Sequence, residues 1–191
     1  MSISRRYTSA DLERLPDVEG TRYEIIDGEL HVSKQPRWEH QYACNQAAYA
    51  LETWNEQSDA GFVLSAPGLV FAEDQDVAPD VVWISRPRLA VALDAAGHLR
   101  SAPELVVEVL SPGAANERRD RDLKLALYSR QGAHEYWIVD WRSRTVQVFR
   151  REAGGLRPVE RLGDGDVLTS PILPGFAFPI ARMWAPPVRP A

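Results

Sequence analysis

Three charged residues stand among apolar neighbours: Asp80 in "APDVVWIS", Glu108 in "PELVVEVLSPG" and Lys124 in "RDLKLALYSR". A strand with one face in water alternates apolar and polar residues. Leu105, Val106, Val107, Val109 and Leu110 do not alternate, so the strand carrying Glu108 is predicted to be covered on both faces. An ionised carboxylate there costs on the order of several kcal/mol unless something pairs with it. Two carboxylates and an amine together have a chemical use. Carboxylate oxygens are hard ligands suited to Mg²⁺ or Mn²⁺, and the cation offsets the repulsion between them. Such an ion activates water and stabilises the charge that develops on a phosphate during hydrolysis. Lys124 would add positive charge or orient that water, and the backbone carbonyl of Val109 is placed to complete the coordination.

The elements that must position these groups follow from local pattern. Pro79 has no amide hydrogen and belongs at a strand start, which puts Asp80 at the beginning of its strand. Ser111-Pro112-Gly113 ends the Glu108 strand, and a helix is predicted from there to about Arg130, with Gly132 as its left-handed cap. On that helix Asp120, Lys124 and Tyr128 are four apart and stack in one stripe. Leu123 and Leu127 form the apolar stripe beside it, so Lys124 is expected at the margin of the buried face.

"RYEIIDGELHV" reads as a hairpin turning at Asp27-Gly28, with Glu24 opposite His31. Before it, "TSADLERL" reads as a short helix capped by Thr8 or Ser9. Apolar and small residues recur at helical spacing from Trp38 to Trp54, with His40, Cys44, Ala47 and Leu51 on one face. "GFVLSAPGLVF" and "APDVVWIS" read as two strands, residues 88–102 as a polar connection, and "EYWIVDW" and "TVQVFRR" as strands joined by "RSR". The tail "GDGDVLTSPILPGFAFPI" reads as a strand and an ordered wrap. This order predicts one α/β domain over residues 1–191, built on a mixed sheet.

Net charge is −5, which does not announce a nucleic-acid binder, but charge is unevenly spread. Residues 11–60 carry a net −7 and residues 117–157 a net +4, so a local patch can meet phosphate. Arg118, Arg119 and Arg121 fall in that basic segment, as phosphate contacts or as solvated surface charge. The lone Cys44 excludes an internal disulfide framework and a cysteine-rich zinc site. Neither a transmembrane run nor a signal-peptide core is found, and a cytoplasmic location is expected.

"YEIIDGEL", "APDVVWIS", "PELVVEVLSPG", the Asp-x3-Lys-x3-Tyr stripe, "EYWIVDW" and "LPGFAFPI" together resemble the Uma-type family of restriction-endonuclease-like proteins. That family lies within the PD-(D/E)xK nuclease superfamily, and the likeness runs from about Thr8 to Ile180. It implies a restriction-endonuclease-like mixed β-sheet flanked by helices with an N-terminal β-hairpin, Mg²⁺-dependent phosphodiester hydrolysis, and a homodimer. Pro79-Asp80 is similar to the first motif and Glu108 to the acidic residue of the second. The superfamily's lysine falls two positions later, where this chain has Leu110, and Lys124 on the following helix is the matching residue. Glu24 is similar to a further acidic position of the family, at the metal site.

The leading expectation is therefore a Mg²⁺- or Mn²⁺-dependent DNA endonuclease using Asp80, Glu108, Lys124 and Glu24. Two rivals are a non-catalytic module of the same fold that binds nucleic acid or a protein partner, and a phosphodiesterase acting on a small nucleotide. His40 is expected near the site or as a structural histidine. Tyr128, Tyr136 and Trp137 are expected in the core, and Asp140 and Trp141 at a strand end.

Overall fold

Asp27 and Gly28 both take positive φ, 50° and 77°, the pair of left-handed residues that a two-residue turn matched to strand twist requires. In the computed structural model, which describes residues 5–187, they join β1 (Thr21–Ile26) to β2 (Glu29–Lys34). The register sets Glu24 opposite His31, as the sequence implies. A short helix, α1 (Ser9–Leu12), precedes the hairpin. Its Thr8 amide and hydroxyl both donate to the Asp11 carboxylate, at 2.9 and 3.1 Å.

After α2 (Trp38–Ser58), the stretch predicted as one strand from Gly61 to Phe71 is two. Ala66 takes φ 50°, and Pro67 and Gly68 follow it, so the chain turns between β3 (Gly61–Ser65) and β4 (Leu69–Ala72). β4 then pairs with β5 (Gln75–Val77), and β5 with β1, giving a four-stranded sheet in the order β2-β1-β5-β4. That small sheet carries Glu24.

The main sheet has six strands in the order β10-β9-β8-β7-β6-β3. They are β3, β6 (Val81–Ser85), β7 (Leu105–Val109), β8 (Glu135–Asp140), β9 (Thr145–Glu152) and β10 (Gly155–Leu162). β7 and β8 run parallel and the other pairs antiparallel, so the sheet is mixed, as predicted. A parallel pair needs a long crossover. Here it is a continuous helical run: α4 (Ala114–Arg118), a π-helical stretch Arg119–Lys124, and α5 (Leu125–Arg130).

Besides β5, two elements were not legible in the sequence. The segment read as a polar connection opens with α3 (Arg86–Ala92), where the Ser85 side chain accepts the Arg88 amide at the N-terminus. β10 returns from β9 through Ala153 and Gly154, both at positive φ. The tail forms β11 (Val167–Thr169) paired with β12 (Ala177–Pro179), then a 3-10 turn at Ile180–Met183.

The period-two geometry of β7 assigns its residues to two cores. Leu105, Val107 and Val109 face α2, packing in one cluster with Ala43, Ala47 and Leu51. Val106 and Leu110 face α5, in a second cluster with Leu127, Tyr128, Tyr136 and Ile138. Glu108 lies on the α5 side by the same alternation. All five β7 residues are buried, as are all six of β8.

α2 is tied to the sheet at its far end by Asn55. Its side chain accepts from the Gly61 amide and from the Trp83 indole, both at 3.1 Å, and donates to the Gly61 carbonyl at 3.0 Å. Gly61 has no room for a side chain: a Cβ there would stand 2.3 Å from the Ile84 carbonyl oxygen and 2.9 Å from Trp83 Cε2. Gly61→Val is expected to force β3 away from β6 and destabilise the protein by about 1–3 kcal/mol, read as a lower urea midpoint.

Candidate active site

Antiparallel pairing sets Val81 opposite Val107, and one step further brings Asp80 level with Glu108. The Val109 amide donates to Asp80 Oδ2 at 2.8 Å, which locks the aspartate onto the end of β7. His40 on the first turn of α2 places Nε2 3.5 Å from the same oxygen, and Arg22 of β1 reaches Asp80 Oδ1 at 3.7 Å. Glu108 is met from the crossover helix. Lys124 Nζ donates to Glu108 Oε1 at 2.9 Å, and the Tyr128 hydroxyl donates to the same oxygen at 3.0 Å. Both of these hydrogen bonds fall on Oε1 of a carboxylate that is almost wholly buried.

Lys124 is buried, not marginal: 1% of its surface is exposed. Its ammonium lies 2.8 Å from Glu24 Oε1, 2.9 Å from Glu108 Oε1 and 3.9 Å from Asp120 Oδ1. Glu24 also accepts the Ala78 amide at 2.9 Å. The helix meets these acids through its π-helical stretch. A π turn widens the helix by one residue, and Arg119, Asp120 and Lys124 are all buried along it.

That placement corrects two surface assignments. Arg119 is not a free phosphate contact: its Nε and Nη2 donate to Asp120 at 2.8 and 3.2 Å, and Nη1 lies 3.6 Å from Glu24. Arg121 is half-buried between Asp140, at 3.5 Å, and Glu117, at 3.7 Å. Arg118 alone of the three is exposed. The Asp120–Lys124 pair, an ordinary surface pair by spacing, lies inside the protein. Leu110, where the superfamily pattern would have lysine, is buried among Tyr128, Tyr136 and Ile138.

Asp80, Glu108, Val109 and Lys124 line one cleft of about 400 Å³, with His40, Cys44, Arg22 and Arg119 in its walls. Glu24 holds Lys124 from outside that lining. Tyr136 and Trp137 are core residues, as expected, and the Tyr136 hydroxyl donates to the Asp120 carbonyl. Asp140 closes β8, and Trp141 donates its indole N–H to the Leu110 carbonyl.

Four carboxylates (Glu24, Asp80, Glu108 and Asp120) crowd around two buried cations, Lys124 and Arg119, with the more exposed Arg22 3.7 Å from Asp80. The consequence falls on Glu108. Burial pushes its carboxyl up to about 8, against the pull of Lys124 and with the help of Asp80, Asp120 and Glu24. Asp80 and Glu24 move the other way. Burial opposes ionisation of both, but His40 and Lys124 outweigh it at Asp80, and Lys124, Arg119 and the Ala78 amide at Glu24. Burial disfavours the Lys124 ammonium, yet Glu108 and Glu24 hold its pKa above the usual value, so it stays protonated.

The sequence profile of a family described as "Putative restriction endonuclease" matches residues 9–181. The chain belongs to this family, Uma2. A solved "putative nuclease belonging to DUF820" from Anabaena variabilis shares the Uma2 chain's fold, with TM-score 0.71 at 16% identity, over 92% of this chain and 96% of that one. The type IIG restriction endonuclease BpuSI aligns with 63% of this chain and 13% of its own, at 13% identity and TM-score 0.39. No curated protein matches the chain. The Uma2 fold is therefore a nuclease fold, a helix-flanked mixed sheet with an N-terminal hairpin.

Removing one member of a buried ion cluster leaves its partners uncompensated. Lys124→Met is expected to destabilise the metal-free protein by about 3–5 kcal/mol in urea unfolding. A second expectation concerns pH. Glu108 holds a proton in the folded state up to about 8, against an ordinary 4.5. Between those values the folded state binds more protons than the unfolded one, so its contribution to stability is present at low pH and lost as pH rises. Thermal melts of metal-free protein should show that fall, and Glu108→Gln should flatten it.

Proposed function

We propose that this protein is a divalent-metal-dependent nuclease that hydrolyses phosphodiester bonds in DNA. One observation carries the reading: Lys124 Nζ lies 2.9 Å from Glu108, so the helix supplies the amine that Leu110 cannot. The donor set fits a hard cation. Asp80, Glu108 and the Val109 carbonyl offer oxygen ligands at one cleft, and a cluster with more carboxylates than buried cations suits Mg²⁺ or Mn²⁺. Such an ion, when bound, activates a water and stabilises charge developing on the phosphate.

The chain's own groups then divide the remaining work. Asp80 is held by the Val109 amide and His40, and Glu108 by Lys124 and Tyr128, so both are oriented before a ligand arrives. Lys124 remains an ammonium, so it acts as a donor and electrostatic stabiliser near the phosphate and the attacking water rather than as a base. Glu24 keeps that ammonium in place. Arg118, exposed beside the cluster, is the phosphate contact left from the basic segment. Cutting both strands of a duplex takes two such sites, which calls for a homodimer.

The wild-type protein is expected to cleave DNA only with Mg²⁺ or Mn²⁺. Asp80→Asn and Glu108→Gln, nearly isosteric, should lose on the order of 100-fold or more in rate. Cleavage that persists equally in both variants would overturn the site. Turnover of small phosphodiesters without DNA cleavage would move the substrate to a nucleotide. Metal-independent DNA binding without hydrolysis would make the fold a binding module.

A further inference from the structure

Cys44, buried in the wall of the cleft, is a sulfur donor that the hydrolytic reading leaves unused. It follows His40 by four residues on α2, which puts both side chains on one helix face. Its Sγ lies 3.5 Å from His40 Nδ1, and His40 Nε2 lies 3.5 Å from Asp80 Oδ2. One donor atom from each of His40, Cys44 and Asp80 falls within 4.8 Å of the other two. All three residues line the cleft, so an ion arriving from solvent can reach them.

We infer that His40, Cys44 and Asp80 form a second metal site, selective for a thiophilic divalent ion such as Zn²⁺. Zinc takes sulfur, nitrogen and carboxylate oxygen together at about 2.0–2.3 Å in tetrahedral geometry, with ligand atoms roughly 3.5 Å apart. In the metal-free protein the imidazole lies between the other two donors, Nδ1 toward Cys44 and Nε2 toward Asp80. One donor atom from each residue falls within 4.8 Å of the others, so binding requires the His40 ring to turn one nitrogen toward the ion. The fourth position would be taken by a water or hydroxide from the cleft that all three residues line. Mg²⁺ does not use thiolate, whereas zinc does. On binding, the Cys44 thiol gives its proton to solvent and its sulfur lone pair to the ion; no electron changes hands.

The two sites share Asp80. An ion held by Asp80 with His40 and Cys44 draws that carboxylate away from the hard-cation site beside Glu108. Zinc is therefore an inhibitor that competes with Mg²⁺, a consequence that rests on the nuclease reading; zinc binding itself does not.

The full-length protein should be titrated with Co²⁺, which replaces zinc and shows a thiolate-to-metal charge-transfer absorption only when sulfur is a ligand. Zinc affinity follows by competition against a chromophoric chelator. The expected result is one equivalent of ion per chain, with the charge-transfer band present in wild type and absent in Cys44→Ser. Zinc affinity should fall more than about tenfold in Cys44→Ser and in His40→Ala, and excess Mg²⁺ should weaken it. A circular dichroism spectrum unchanged in Cys44→Ser would keep the comparison clean. Cys44→Ser should retain Mg²⁺-dependent cleavage and lose its sensitivity to zinc. Absence of the charge-transfer band in wild type, or zinc affinity unchanged in Cys44→Ser, overturns the inference whatever the nuclease assay shows. A wild type that binds zinc through Cys44 but cleaves nothing leaves this site standing and removes the nuclease reading.

Discussion

A lysine ammonium buried between two carboxylates is the constraint around which the molecule is organised. Lys124 can be charged in the interior only because Glu24 and Glu108 sit 2.8 and 2.9 Å away. Those partners come from different parts of the fold. Glu108 is on the central strand of the main sheet, Glu24 on the hairpin of the small one, and Lys124 on the crossover between the two parallel strands. The two sheets and the helix must be in place together for the charge to be tolerated. The hydroxyls of Tyr128 and Tyr136 fasten the same helix to Glu108 and at Asp120, so the positioning of the site and the packing of the second core are one set of contacts.

The cluster remains short of positive charge, and that shortfall links stability to function. Well-packed apolar residues would fill this space at lower electrostatic cost. A cleft lined by Asp80, Glu108 and Val109 is instead suited to a divalent ion. His40 meets the same Asp80 oxygen as the Val109 amide, and Cys44 stands behind His40, so softer donors lie next to the aspartate as well.

Much of this was legible in the sequence because the signals were local. The Asp27-Gly28 turn fixed the hairpin register and the place of Glu24. The unalternating run around Glu108 meant a strand covered on both faces, and all five of its residues are buried. Asp120, Lys124 and Tyr128 were visible as a stripe. The depth of that stripe was not, because spacing on an ideal helix places Lys124 at an edge, while the π-helical stretch turns Arg119, Asp120 and Lys124 all inward. No residue type in "RRDRDLK" announces a π turn, and an arginine looks the same whether its partner is phosphate or Asp120. The split at Ala66 was hidden by apolar residues on both sides of Pro67-Gly68, and β10 by its polar, proline-bearing composition. His40 lay on the right helix face in the sequence, but its approach to Asp80 is a tertiary contact that spacing alone does not give.

The most direct measurement is an anomalous difference map from crystals of the wild-type protein grown in Mn²⁺ and collected above the manganese edge. The expected result is one peak touching both the Asp80 and Glu108 carboxylates, with the Lys124 amine still bound to Glu108. A peak away from that pair, or a Lys124 side chain turned out to solvent with Glu108 left alone, would contradict the central claim.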